Sequence, residues 1–305
     1  MDYSIVVPTL NGGATWQKAA DAIATQQPGP VKTLIIDSGS MDETVEVSRR
    51  HGFDLLQIEK SDFDHGRTRQ QGVDLSPEAE IIVFLTQDAV LQTPDAISRL
   101  LQPFSHSRIG AAYGRQLASD DASIFEQHAR GNNYPAVSIV KSRDSISALG
   151  IRTAFCSNSF SAYRRSALIE VGGFPDRTLF AEDMLVAAKM ILADYNVAYQ
   201  ADALCEHWHD YRISEEFRRA FDIGVFHKRE HWILEEFGGA EGEGGSLILS
   251  GLRRIASEDP FALPAALMKY TAKTLGYIAG RAESILPVRL KRGFSMNRSF
   301  WKTDG

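Results

Sequence analysis

Short continuous apolar runs, separated by stretches of helical spacing, dominate the first ninety residues. Residues 4–8, 31–37, 54–59 and 81–85 read as strands, and residues 16–26, 42–51 and 69–75 as the helices between them. Such alternation predicts an α/β fold, a mostly parallel sheet flanked by helices. Ligands of these sheets sit outside the carboxyl ends of the strands. The polar residues that follow each strand are therefore the first candidates for chemistry.

Beyond residue 100 the pattern loosens. Residues 109–117, 157–163 and 197–207 read as strands, 165–171 as a short helix ending at Gly172-Gly173, and 180–193 as a longer helix. Residues 211–236 form a long helical stretch, and the glycine-rich run 238–245 breaks it. That run has no strand-flanked G-x-G-x-x-G and reads as a loop. Residues 246–305 read as helical and turn basic at their end. The expected organisation is a catalytic, nucleotide-binding domain over 1–210 and a helical C-terminal region over 211–305.

Composition narrows the classes. Of 305 residues 44% are hydrophobic, enough for a sizeable core, and the net charge of -6 argues against a nucleic-acid binder. The two cysteines, Cys156 and Cys205, form no CxxC pair, which suits a reducing compartment. The first residues carry no basic signal-peptide region, and residues 261–280, the most apolar stretch, are interrupted by Lys269 and Lys273. A cytoplasmic protein, working at the inner face of the membrane, is expected.

The strand ends carry small, polar and acidic groups. The first is followed by Pro8-Thr9-Leu10-Asn11-Gly12-Gly13, the second by Asp37-Ser38-Gly39-Ser40-Met41-Asp42, the fourth by Thr86-Gln87-Asp88. Turn chemistry accounts for any one of these alone. Together, in this order, they suit a nucleotide and its phosphates. With Gly172-Gly173-Phe174 and the acidic pair Glu182-Asp183, they resemble the family-2 glycosyltransferases of GT-A fold, over roughly residues 3–210. The resemblance implies that Pro8, Thr9, Asn11, Asp37, Ser38, Arg69, Gln87 and Asp88 bind the nucleotide, Asp37 meeting a pyrimidine imide and Arg69 the base or diphosphate. It implies Asp88 near a divalent metal, Mn²⁺ or Mg²⁺, and Asp183 as catalytic base with Glu182 beside it.

One departure matters. The family usually carries Asp-x-Asp after the fourth strand, and here Thr86 replaces the first acid. Hard cations want several oxygen ligands, so a single carboxylate calls for help. Glu206-His207-Trp208-His209 follows a strand, and His207 and His209 share a face if the strand continues. Imidazole suits transition metals better than Mg²⁺. Asp88, His207 and His209 are the expected metal ligands, with His207 preferred. Asp183 falls in a helix's first turn, where the helix dipole favours an anion, so it is expected to be ionised at neutral pH.

Asp62-Phe63-Asp64-His65-Gly66-Arg67-Thr68-Arg69 and Thr86-Gln87-Asp88-Ala89 are similar to segments of bacterial rhamnosyltransferases in this family, as are Gly276-Tyr277, Gly280, Leu286-Pro287 and Phe300-Trp301 near the C-terminus. The resemblance implies dTDP-L-rhamnose as donor and a lipid-linked oligosaccharide as acceptor, with His65, Gly66 and Phe180 near the sugar. A UDP-hexose-dependent transferase, or a protein that binds nucleotide sugar without turnover, stays open. From Arg281 on, Arg289, Lys291, Arg292, Arg298 and Lys302 are mixed with Ile285, Leu286, Val288, Leu290, Phe294, Phe300 and Trp301. That mixture suits an anionic membrane surface, and equally a helix packed on the catalytic domain or a homodimer contact.

Overall fold

The computed structural model describes residues 1–29, 32–239 and 243–302. Two compact units make up the chain. The first comprises Met1–Ser119, Tyr134–Thr178 and Glu182–His207; the second comprises Asp120–Asn133, Leu179–Ala181 and the chain from Trp208 on.

The first unit is built on one nine-stranded sheet. Its strands are β1 (Tyr3–Thr9), β2 (Thr33–Asp37), β3 (Asp54–Gln57), β4 (Ile81–Leu85), β5 (Val90–Leu91), β6 (Ile109–Leu117), β7 (Ile139–Lys141), β8 (Phe160–Arg164) and β9 (Asn196–Glu206). They lie in the order β3-β2-β1-β4-β8-β6-β9-β5, with β7 also on β9. β1 pairs in parallel with β2 and β4, β2 with β3, and β6 with β9. β8 runs against both β4 and β6, while β5 and β7 run against β9. The carboxyl ends of β1, β2, β4, β6 and β9 therefore share one edge with the amino end of β8. The expected mostly parallel sheet is present, with three strands reversed.

Helices α1 (Gly13–Ala24), α2 (Thr44–Arg50), α3 (His65–Asp74), α4 (Ala96–Leu101), α6 (Ile146–Leu149), α7 (Arg165–Glu170) and α8 (Glu182–Leu192) complete this unit; α5 (Ile124–Asn133) belongs to the second. The central strands are apolar without alternation because both faces are covered. Ile5, Val7, Ile35, Ile81 and Val83 pack with Trp16 and Ala20 of α1 in one core. The strand expected over 157–163 starts at Phe160, which leaves residues 157–159 as a polar approach to it. Val31 lies outside the described residues.

In the second unit α9 (Ile213–Arg229) and α10 (His231–Phe237) replace the single helix expected over 211–236, with Glu230 off helical geometry between them. α11 (Glu243–Glu258), α12 (Leu263–Arg281) and α13 (Val288–Phe294) follow. The loop expected over 238–245 lies partly outside the described residues, and its end already belongs to α11. α9 and α12 approach closely: a side chain at Gly276 would meet the Phe217 carbonyl at 2.2 Å, and one at Gly280 the Phe221 carbonyl at 2.1 Å. Phe221 and Val225 gather Trp301, Phe300, Phe294, Leu286 and Val288 into one cluster. These bulky residues of the basic tail turn inward, because hiding an indole and two phenyl rings outweighs any solvent contact. Among the described residues no helix is long and apolar enough to cross a membrane.

Candidate active site

The loops leaving β1 and β2 are stitched into one layer. Asp37 is fully buried. Its Oδ1 accepts from the hydroxyls of Thr9 (3.0 Å) and Ser40; its Oδ2 accepts from the N–H groups of Gly39 (3.1 Å) and Ser40 (2.9 Å). A carboxylate offers about four lone-pair sites, and all are occupied. Ser38 donates both its N–H (2.9 Å) and its hydroxyl (3.0 Å) to the Thr9 carbonyl. Asn11 Oδ1 accepts from Met41 N–H at 2.8 Å, and Asn11 N–H donates to Ser40 Oγ at 2.8 Å. Gln87 brackets Leu10, taking its N–H at 2.8 Å and donating to its carbonyl at 3.1 Å. Thr9, Asp37, Ser38 and Gln87, expected at the nucleotide, thus turn their polar atoms onto one another and the backbone. The Asp37 carboxylate is the clamp of this layer. Pro8 is half-buried within β1, and Asn11 is exposed.

The acidic pair opens α8. Ala181 takes φ of +60° just before it, so the chain turns into the helix abruptly. Arg69 Nη1 lies 3.0 Å from Glu182 Oε1 and donates to the His65 carbonyl at 3.0 Å. Both Arg69 and Glu182 are buried, so the guanidinium is turned onto the Glu182 carboxylate and the His65 carbonyl. Asn158 joins the pair: its side-chain amide donates to Glu182 Oε1 at 3.0 Å and its backbone N–H to Asp183 Oδ2 at 3.1 Å. Its own Oδ1 accepts from Ser161 (2.9 Å) and Tyr163 (2.8 Å).

The two acids are driven apart. Burial works against the Glu182 carboxylate, but Arg69, His65 and the Asn158 amide outweigh it and hold Glu182 below its ordinary value. Burial pushes Asp183 up to about 7, and the neighbouring Glu182 charge adds to the rise; the N–H groups of Asn158 and Met184 oppose it without prevailing. The expectation that the helix dipole keeps Asp183 ionised is corrected. A helix terminus contributes a fraction of a charge at its first turn, and here desolvation and a full neighbouring charge are larger. Asp183 sits where a small change in pH moves its proton.

Asp88 ends a tight turn in which the Ala89 N–H reaches the Thr86 carbonyl at 3.0 Å. Its Oδ1 lies 3.4 Å from His207 Nε2, at the end of β9. His207 Nδ1 lies 2.9 Å from Gln116 Oε1, and Gln116 Nε2 donates to Ser157 Oγ at 2.8 Å. An amide oxygen only accepts, so His207 donates through Nδ1, and Nε2 is the ring atom turned towards Asp88. A carboxylate and an oriented imidazole with ligand atoms within 4.8 Å make a set able to hold a divalent cation. The Thr86 hydroxyl, where the family usually carries an acid, is buried with no hydrogen-bond partner among the described residues. His209 follows two residues later, within the second unit, where its ring lies 5.3 Å from that of Tyr211.

The segment before α3 has a structural logic of its own. Asp64 caps the helix, accepting from Gly66 N–H at 3.0 Å and Arg67 N–H at 3.1 Å, and its other oxygen takes the Thr178 N–H at 3.1 Å. A side chain at Gly66 would meet the Pro175 carbonyl oxygen at 2.0 Å, so packing alone requires glycine there. His65 stands edge-on to Phe63 at 5.0 Å, and burial holds its imidazole below the ordinary value. Phe180 counts with the second unit, its ring 4.9 Å from the Arg219 guanidinium.

Asn158, Gln116 and Ser157 are the residues that inspection of strand carboxyl ends passes over. Asn158 stands before an antiparallel strand, and Gln116 lies inside β6. The signal present in the sequence is the polar trio Ser157-Asn158-Ser159 ahead of a buried strand. Lys141 fastens the approach to that trio, donating to the carbonyls of Arg152 (3.1 Å) and Phe155.

The family model of Glycosyl transferase family 2 matches residues 4–172. The O-antigen chain rhamnosyltransferase RfbN of Salmonella typhimurium is 47% identical over 99% of this chain and 96% of its own length. The O-antigen chain rhamnosyltransferase WbaN of Salmonella anatum is 41% identical over 98% of this chain and 95% of its own. Among solved structures, the mannosyltransferase PcManGT of Pyrobaculum calidifontis, in complex with GDP-Man and Mn²⁺, superposes with a TM-score of 0.64 at 18% identity, covering 93% of this chain and 86% of that one. S. aureus TarS 1–349 with UDP-GlcNAc gives 0.54 at 14% identity, over 98% of this chain and 90% of that one. These structures share the GT-A-type fold. The motif order, the paired acids and the full-length relatives agree: the chain belongs to glycosyl transferase family 2.

Proposed function

We propose that the protein transfers L-rhamnose from dTDP-L-rhamnose, with inversion, to a lipid-linked saccharide in the synthesis of a surface polysaccharide. The observation that carries this reading is the likeness, over almost the whole chain, to two O-antigen chain rhamnosyltransferases.

Asp183 acts as the general base. It takes the proton of the acceptor hydroxyl as that oxygen attacks the anomeric carbon, while the bond to the diphosphate breaks on the opposite face. Such assistance is worth about 10²–10⁴-fold. Glu182 stays ionised against Arg69 and repels a second negative charge on Asp183, which favours proton uptake. Asp88 and His207 would hold a divalent cation, Mn²⁺ or Mg²⁺, with Gln116 orienting the imidazole, and that cation would supply neutralisation of the charge that grows on the departing diphosphate. His209 is proposed from the sequence as a further ligand. Asn11, exposed beside the stitched loops, is proposed for the nucleotide, and His65 for the sugar.

The test is a panel of nucleotide sugars incubated with the protein and Mn²⁺. Hydrolysis of dTDP-L-rhamnose faster than of any UDP-hexose supports the assignment. A preference for a UDP-hexose overturns the donor, and tight dTDP binding without turnover of any donor, unchanged in Asp183→Asn, overturns catalysis.

A further inference from the structure

Helix α12 carries an outer face with no charge on it. Leu267, Met268, Thr271, Thr274, Leu275 and Ile278 are exposed, and a turn of 100° per residue gathers them into one stripe about a third of the helix wide. The two threonines add no free polar group. Thr271 Oγ1 donates back to the Leu267 carbonyl at 2.8 Å and Thr274 Oγ1 to the Tyr270 carbonyl at 3.0 Å, which leaves their methyl groups as the outer surface. The cations of the helix face the other way: Lys269 pairs with Asp210 at 2.7 Å, Lys273 with Glu216 at 3.3 Å, and Arg281 donates to the His227 carbonyl at 2.6 Å. Two apolar side chains flank the stripe along the chain, Phe261 at 95% exposure and Ile285 at 82%.

Charge selects the occupant. Residues 260–302 hold eight lysines and arginines and one acid, Glu283, in a chain whose acids outnumber its bases 39 to 33. Glu283 is buried between Arg229 and Lys291. Arg289, Arg292 and Arg298 are exposed, so this stretch shows positive charge and no exposed acid. In a twofold dimer the same surface meets itself, and these arginines would find nothing to answer them. A bilayer bearing anionic headgroups answers both features, taking the apolar stripe at the acyl boundary and the arginines at the phosphates.

We propose that the outer face of α12 docks the protein on an anionic lipid surface. The apolar contact belongs to this helix, and the tail that follows it, whose Phe300 and Trp301 are buried, supplies the exposed arginines. It does not depend on the sugar transferred. The full chain is pelleted with phosphatidylcholine vesicles, with and without phosphatidylglycerol, and the double variant Leu275→Glu, Ile278→Glu is compared with Arg289→Glu, Arg292→Glu. Binding to the anionic vesicles only, about tenfold or more weaker in both variants, supports the proposal. Circular dichroism and acceptor-free donor hydrolysis are expected to stay as in the parent, which separates docking from folding and from the active site. Equal pelleting of parent and variants overturns it, as does a lipid-free parent dimer that the leucine–isoleucine variant converts to monomer, since a second copy would then cover the face.

Discussion

Arg69 Nη1 and Glu182 Oε1 lie 3.0 Å apart, and neither side chain is more than 8% exposed. That one pair decides which of two adjacent acids keeps its charge. Glu182 is held ionised, and Asp183, desolvated in its half-buried position and next to that charge, is raised to about 7.

A base works only when deprotonated. The value of kcat/KM for sugar transfer is therefore expected to rise with pH through about 7 and level off above it. Glu182→Gln removes the neighbouring charge but leaves the burial, so its midpoint should fall while staying above that of an ordinary carboxylate. Asp183→Asn should lower kcat by about 10²–10⁴-fold at every pH. A pH–rate profile of the three proteins checks this, and identical midpoints for parent and Glu182→Gln would be the contrary result.

Asn158→Ala leaves the backbone N–H to Asp183 but strips the side-chain bonds to Glu182, Ser161 and Tyr163. Unmade bonds to buried polar groups cost about 1–3 kcal/mol. Urea unfolding should show a lower midpoint with an unchanged slope, and the rate at saturating donor should fall with it. Asn158→Asp should be worse, because it sets a third acid beside Glu182 and Asp183.

Gln116 touches the imidazole of His207. Gln116→Leu should free the His207 ring to rotate and change tautomer, weakening Mn²⁺ binding about 10–100-fold. Titration of the manganese signal by electron paramagnetic resonance measures it. Asp88→Ala should lose more, and a Gln116→Leu protein with parental affinity would remove the orienting role.

Gly66→Ala drives a methyl group onto the Pro175 carbonyl oxygen. Overpacking of this kind costs about 1–3 kcal/mol or more, so the unfolding midpoint should drop clearly. Donor affinity that falls no further than stability does would show that Gly66 serves packing rather than the sugar.

Much of this was legible in the sequence. The apolar runs at 81–85 and 109–117 appear as β4 and β6 with the same bounds, because a strand covered on both faces has a composition that loops cannot imitate. The acids Asp88 and Glu182-Asp183 and the imidazole of His207 were visible from strand ends and a helix start. Asn158 was not, since it precedes a strand that runs against its neighbours, and only the sheet order puts that end beside the others. The protonation of Asp183 was also hidden. It depends on burial and on Arg69, which is more than a hundred residues away in sequence. The tail stayed open for a related reason: basic and bulky residues alternate at a lipid surface and also on a helix packed by one side, and burial separates them, with Trp301 at 1% exposure packed inward and Ile285 at 82% left outside.

The saturated carboxylate of Asp37 has a thermodynamic consequence. Because it and Ser40, Asn11 and Gln87 already close the layer by hydrogen bonds within the protein, little chain freedom is left there for a nucleotide to take away. Calorimetry of dTDP binding should show a small entropic penalty and an on-rate without a slow ordering phase. Asp37→Ala would loosen the layer, and affinity would fall mainly through entropy although the carboxylate need never touch the base.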